Sequence, residues 1–127
     1  MEGFTAKIRE SSKELSAKER VAIKDTGNAI SIDEVTAADG TLVIDYDYHV
    51  IIDIHNEHSD NKDYVKCVVV DKSGKKYVTG SQSFTNALVE IVNEMADAGE
   101  GDNIQIECYR KESKNYKGKS FISCSII

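Results

Sequence analysis

The chain has 127 residues, 40% of them hydrophobic and 30% charged, with a formal net charge of −6. That length holds one domain able to bury roughly two thirds of its extended surface, and no apolar run approaches the roughly eighteen residues that span a bilayer. The acidic balance taken alone disfavours a nucleic-acid-coating protein, but it conceals a partition. Residues Asp25 to Asp63 hold ten acids and one base, a net of −9, whereas Tyr64–Gly80 carries +3 and Tyr109–Phe121 carries +4.

The N-terminal residues are charged throughout and lack an apolar h-region, so no secretory signal is expected and the place of work is expected to be a cytoplasm. Three cysteines, Cys67, Cys108 and Cys124, with no Cys-x-x-Cys pair, read as reduced and buried. There is no proline, repeat or low-complexity linker. Residues 1–14 are therefore set apart as a looser arm and 15–127 as a single domain.

Along the chain, a strand is expected around Arg20–Lys24, and 28–35 is either a short helical turn or irregular. From Leu42 to His55 apolar and polar residues alternate, which predicts a long strand with Leu42, Ile44, Tyr46, Tyr48, Val50, Ile52 and Ile54 on one dry face. Tyr64–Val70 is apolar on both faces and predicts a central strand. Asp71–Gly74 is a turn, with Lys75–Thr79 returning beside it.

The period then changes. Phe84, Leu88, Ile91, Val92 and Met95 form one helical stripe, with Ser81 or Ser83 as N-cap and Gly99 as stop. Strands resume over Asn103–Lys111 and Lys119–Ile126. Without β-α-β alternation the sheet should be mainly antiparallel, and a helix inserted before the last two strands is the pattern of an OB-fold, a partly open barrel of five or six strands. An open α+β sheet is the alternative.

Alternation also sorts the aromatic residues. If Ile104, Ile106 and Cys108 face inward, Tyr109 faces outward with Lys111; if Ile122, Cys124 and Ile126 face inward, Phe121 faces outward beside Lys119; if Val78 faces inward, Tyr77 faces outward with Lys75. Tyr116 lies in the connection between the last two strands with Lys114 and Lys117. Rings among cations are what single-strand binding requires, since any base can stack on a ring while cations neutralise phosphate. The expected binding set is thus Tyr77, Tyr109, Tyr116 and Phe121 for bases, and Lys75, Arg110, Lys111, Lys114, Lys117 and Lys119 for phosphates. The competing reading is that these rings pack in a second small core.

Other motifs carry less. Gly118-Lys119-Ser120 lacks the first glycine of a phosphate-binding loop and precedes a strand pattern. Asp45, Asp47, His49, Asp53 and His55 are metal-ligand types on one strand face but have no ligand-spaced loop. Asp47 and Asp53 lack an apolar pocket that would separate their pKa values, and Cys67 and Cys108 sit in core patterns. No catalytic residue, metal or cofactor is expected.

The segments Tyr77-Val-Thr-Gly-Ser81-Gln-Ser-Phe84, Ser113-Lys-Asn-Tyr-Lys-Gly-Lys-Ser-Phe-Ile-Ser-Cys124 and Ile54–Tyr64 resemble the small single-stranded DNA-binding proteins of phages and prophages of low-GC Gram-positive bacteria. The resemblance runs from about residue 17 onward. It implies an OB-type fold, a non-catalytic role in phage DNA replication or recombination in the host cytoplasm, single-stranded DNA as partner, and no cofactor. A homo-oligomer and phage or host replication proteins are further partners such a reading admits, while a membrane is not one. The chain departs from better-known bacterial single-strand binders, which end in an acidic tail, by ending in Ser123-Cys-Ser-Ile-Ile127. The principal rival is an acidic interaction module whose −9 block imitates nucleic acid, as in an inhibitor of a host nuclease or defence protein. A small-molecule-binding barrel is third.

Overall fold

The computed structural model describes residues 3–112 and 120–127. In chain order the elements are β1 (Phe4–Ser11), α1 (Ala17–Lys24), β2 (Ile30–Ser31), α2 (Ile32–Asp39), β3 (Thr41–Asn56), β4 (Asp63–Asp71), β5 (Lys76–Thr79), α3 (Gln82–Asp97), β6 (Gln105–Glu112) and β7 (Ser120–Ile126). The strands form one curled sheet in the order β2-β5-β4-β3-β6-β7, with β1 also paired to β3. Every pairing is antiparallel except β2 with β5. The sheet is open and half-barrel-shaped, mainly β and OB-like, as the element order predicts.

The 16-residue β3 organises this sheet. One of its edges carries β4 along Tyr46–His55; the other carries β6 at Thr41–Asp45 and β1 at Val50–Asn56. Its alternation is unbroken in sequence but not in space. Tyr46 pairs with Asp71 and Tyr48 with Val70, so β3 has one residue in excess there. Such a bulge inverts the side-chain phase, because the period of a strand is two.

Ile44 and Tyr46 consequently enter a first core with Cys67, Val69, Tyr77, Phe84, Leu88, Ile104, Ile106, Cys108, Ile122 and Cys124, while Tyr48, Val50, Ile52 and Ile54 enter a second with Ile23, Val68 and Val70. The expectation of one dry and one wet face along all of β3 is corrected: just past the bulge both faces are covered, with His49 and Ile51 buried, and the wet face resumes at Asp53 and His55.

Both short helices begin at Ser-x-x-Glu. Ser16 Oγ accepts from Glu19 N while Glu19 Oε1 accepts from Ser16 N, a complete capping box, and Ser31 Oγ accepts from Glu34 N. The strand expected at Arg20–Lys24 is therefore helix α1. Its Ile23 plugs the second core, and Lys76 Nζ donates to the Ala22 and Asp25 carbonyls at its C-terminal end, at 2.9 and 2.7 Å. Residues 4–11, read as part of a loose arm, form β1, whose Phe4, Ala6 and Ile8 extend the second core. Gly40, with φ 84°, turns the chain out of α2 into β3, a conformation costly to residues bearing a Cβ.

Helix α3 matches its periodicity. Ser81 is the N-cap, Phe84 and Leu88 are fully buried, and Ile91, Val92 and Met95 pack half-buried against the same core. Leu88→Ala should cost about 2–5 kcal/mol in urea denaturation, and Met95→Ala distinctly less, because a cavity forms only where neighbours close on all sides. Equal losses would contradict this packing.

Candidate nucleic-acid interface

Helices and β1 cover much of the sheet, but among the described residues two stretches stay open: one across β1, β3 and β4 at Thr5, Lys7, Asp53, His55 and Asp63, and one across β3, β6 and β7. Where β3, β6 and β7 pair, Thr41, Val43 and Asp45 lie opposite Tyr109, Glu107 and Gln105, and Tyr109, Lys111 and Glu107 lie opposite Ser123, Phe121 and Ser125. Directly paired residues project to the same side, so these ten form the outer face. Their even-numbered neighbours Leu42, Ile44, Ile106, Cys108, Ile122 and Cys124 supply the first core. Val43 is 49% and Phe121 37% exposed, and Tyr109 is half-buried with its hydroxyl 2.8 Å from Ser125 Oγ. Phe121 faces Lys111 across the strands, and Tyr109 is its diagonal neighbour. The face is polarised, with Asp45 and Glu107 toward one end and Lys111 at the other.

The expected binding residues separate under this geometry. Tyr109, Phe121 and Lys111 come together as alternation predicts. Tyr77 does not: it pairs with Val69, is 6% exposed and lies in the first core, while Val78 turns to the second. Both faces of β5 are covered, so choosing Val78 as its inward residue exposed the wrong partner. Arg110 shares the row of Ile106 and Cys108, away from Tyr109, and donates to the Asp33 carbonyl on α2 at 2.9 Å and to Ser120 Oγ at 3.3 Å. Lys75 is exposed beside the β4–β5 turn, across β3 from β6. Its backbone N–H donates to Asp71 Oδ1. Tyr116, Lys114, Lys117 and Lys119 lie outside the described residues. Val43 and Thr41 were missed, although the alternation of β3 already placed them opposite its core residues.

Several other titratable groups are paired. Asp53 binds Arg9, and Asp45 lies 3.7 Å from Lys72. His55 bridges Asp63 and Glu57 at 2.7 and 2.6 Å, and the two carboxylates, Asp63 foremost, raise its pKa. Among the described residues no three His, Cys, Asp or Glu side chains are grouped to hold a metal ion, and no helix is long and apolar enough to cross a membrane. Cys67, Cys108 and Cys124 are buried, which pushes each thiol up to about 12 and leaves them protonated at neutral pH.

His49 is set apart by the bulge, which brings it to the same side as Tyr46. The Tyr46 hydroxyl lies 2.7 Å from His49 Nδ1 and donates to Ser12 Oγ at 2.9 Å, and Ser12 Oγ also accepts from His49 N. With the Tyr46 proton given to Ser12, neutral His49 carries its hydrogen on Nδ1. Burial lowers the His49 pKa from 6.5 to about 4 and raises Tyr46 to about 12.

No protein-family model, curated protein or solved structure matches this chain. The functional reading therefore rests on its own residues.

The buried imidazole predicts a pH dependence. The unfolded chain binds a proton at His49 below its ordinary pKa of 6.5 and the folded chain only below about 4, so stability is complete above that window and falls as pH drops through it. The full loss is about 3 kcal/mol. His55 works in the opposite sense, being favoured when protonated. Urea denaturation of wild type and His49→Gln across the window should show a shallower decline in the variant; parallel curves would refute the assignment.

Proposed function

We propose that this protein binds single-stranded DNA without sequence preference on the outer face of β3, β6 and β7. The observation that carries the reading is a sheet face, uncovered among the described residues, on which Phe121 and Tyr109 are diagonal neighbours with Lys111 directly across from Phe121. A β surface holds rings at fixed spacing, and the open faces of unpaired bases stack on them whatever their identity. The cation beside the rings meets the phosphate of a nucleotide stacked there, and the opposite, acidic end with Asp45 and Glu107 repels the backbone, fixing which way the strand runs off the face. Val43, exposed alongside, adds apolar surface for a deoxyribose or a base edge.

This reading narrows the sequence-derived set to Tyr109, Phe121 and Lys111 among the described residues; buried Tyr77 has no place in it. The resemblance to phage single-strand binders supports the same chemistry and extends the proposal to phage DNA replication or recombination in a bacterial host.

Titrating labelled oligo-dT and a duplex of equal length at two salt concentrations tests it. Single strands should bind and duplex poorly, because paired bases offer no free face. Tyr109→Ala or Phe121→Ala should each weaken binding by about 1–3 kcal/mol with little change of salt slope. Lys111→Ala should reduce that slope by about one counterion. Equal affinity for duplex and single strand, or undiminished binding in a folded Tyr109→Ala/Phe121→Ala double variant, would overturn the proposal.

A further inference from the structure

Strand β1 is held from one side only. It pairs antiparallel with β3, and among the described residues no strand and no backbone hydrogen bond reaches the outer edge of residues 4–8. The direction of its backbone groups follows from one bond. Glu57 N donates to the Gly3 carbonyl at 2.7 Å, in the register that sets Phe4 opposite Asn56. Hydrogen-bonded pairs recur at every second residue of an antiparallel ladder. Gly3, Thr5 and Lys7 therefore turn their backbone groups toward β3, while Phe4, Ala6 and Ile8 turn theirs to the free edge. The register shift between Ile8 and Glu10 ends this regular edge.

The side chains of the same three residues extend the second core, yet each is only half-buried. That core runs out at the edge of the sheet, where no further element of the described residues covers it. Unpaired backbone beside an apolar row is a template for another strand.

We propose that two copies of this chain associate through β1, antiparallel about a two-fold axis at Ala6. Phe4 then forms a hydrogen-bonded pair with Ile8 of the second copy, Ala6 with Ala6, and Ile8 with Phe4, so that every outward backbone group of residues 4–8 is used. Directly paired side chains share a face, and the two second cores join, with the small Ala6 at the axis and each Phe4 ring opposite an isoleucine. On the other face Thr5 stands opposite Lys7, and each Lys7 keeps Asp53 across from it in its own sheet. Register is selected by the same residues. An axis moved to Lys7 would set lysine directly against lysine, and an axis moved to Thr5 would carry Ile8 past the start of the strand at Phe4. The edge is thus complementary to itself in hydrogen bonds, volume and charge, which selects a second copy over a foreign strand. A contact this short is smaller than a standard interface, so the dimer is weak and concentration-dependent.

Sedimentation velocity from low-micromolar to near-millimolar protein should show a reversible monomer–dimer equilibrium. Ala6→Pro removes an N–H that points out of the sheet, a substitution that edge strands tolerate, so it should preserve the circular dichroism spectrum and weaken dimerisation by about tenfold or more. Cysteine pairing tests the register independently and still decides the matter where Ala6→Pro unfolds the chain. Thr5→Cys protein mixed with Lys7→Cys protein should form a disulfide-linked dimer under mild oxidation, because pairs between the hydrogen-bonded ones bring Cβ atoms closest, and either variant alone should form far less. The native thiols, all buried, do not compete. The proposal is overturned by a monomer at every concentration, by a dimer that folded Ala6→Pro leaves intact, or by cross-linking no greater in the mixture than in either variant alone.

Discussion

The bulge between Tyr46 and Tyr48 is the constraint on which the remaining architecture depends. A strand as long as β3 with one continuous phase would present a single apolar face and require one very wide core. The extra residue inverts the phase midway, so that the first half of β3 feeds the half-barrel interior and the second half feeds a separate core under α1 and beside β1. A specific polar contact follows from it, since the inversion puts Tyr46 and His49 on one side and Ser12 ties both to the end of β1.

Two cores back to back explain which surfaces remain open. Strand β4 gives Cys67 and Val69 to one core and Val68 and Val70 to the other, and β5 does likewise with Tyr77 and Val78. Around Cys67–Val70 and Tyr77–Val78 that half of the sheet is covered on both faces, and only toward its far end do Lys7, Asp53, His55 and Asp63 reach solvent. Among the described residues the half made by the start of β3 with β6 and β7 is covered only from within, and so Phe121 and Val43 are exposed there and Tyr109 is half-exposed. Aromatic rings left on an uncovered sheet face are less common than rings buried in cores, and this placement gives the functional proposal its substance.

Charge is distributed along the same division. Lys111 of β6 stands at one end of the open face, with Arg110 turned the other way to Asp33, while α3 and the turn after it are wholly acidic on their ionised side chains.

Much of this was legible in the sequence. Alternation placed β3, β4, β6 and β7 nearly to the residue, the change of period marked α3, and the inward sets of β6 and β7 fixed Tyr109, Lys111 and Phe121 on one outer face, because each of these depends only on local periodicity and one covered side. Helix α1 was read as a strand at Arg20–Lys24, because the short apolar stretch at Val21–Ile23 fits either element and only Ile23 docking in the second core decides the matter. The bulge leaves no trace in an unbroken alternation. The burial of Tyr77, the turn of Arg110 toward Asp33 and the pairing of β1 with β3 were settled by tertiary structure alone, since each depends on a second layer packing where periodicity provides for only one.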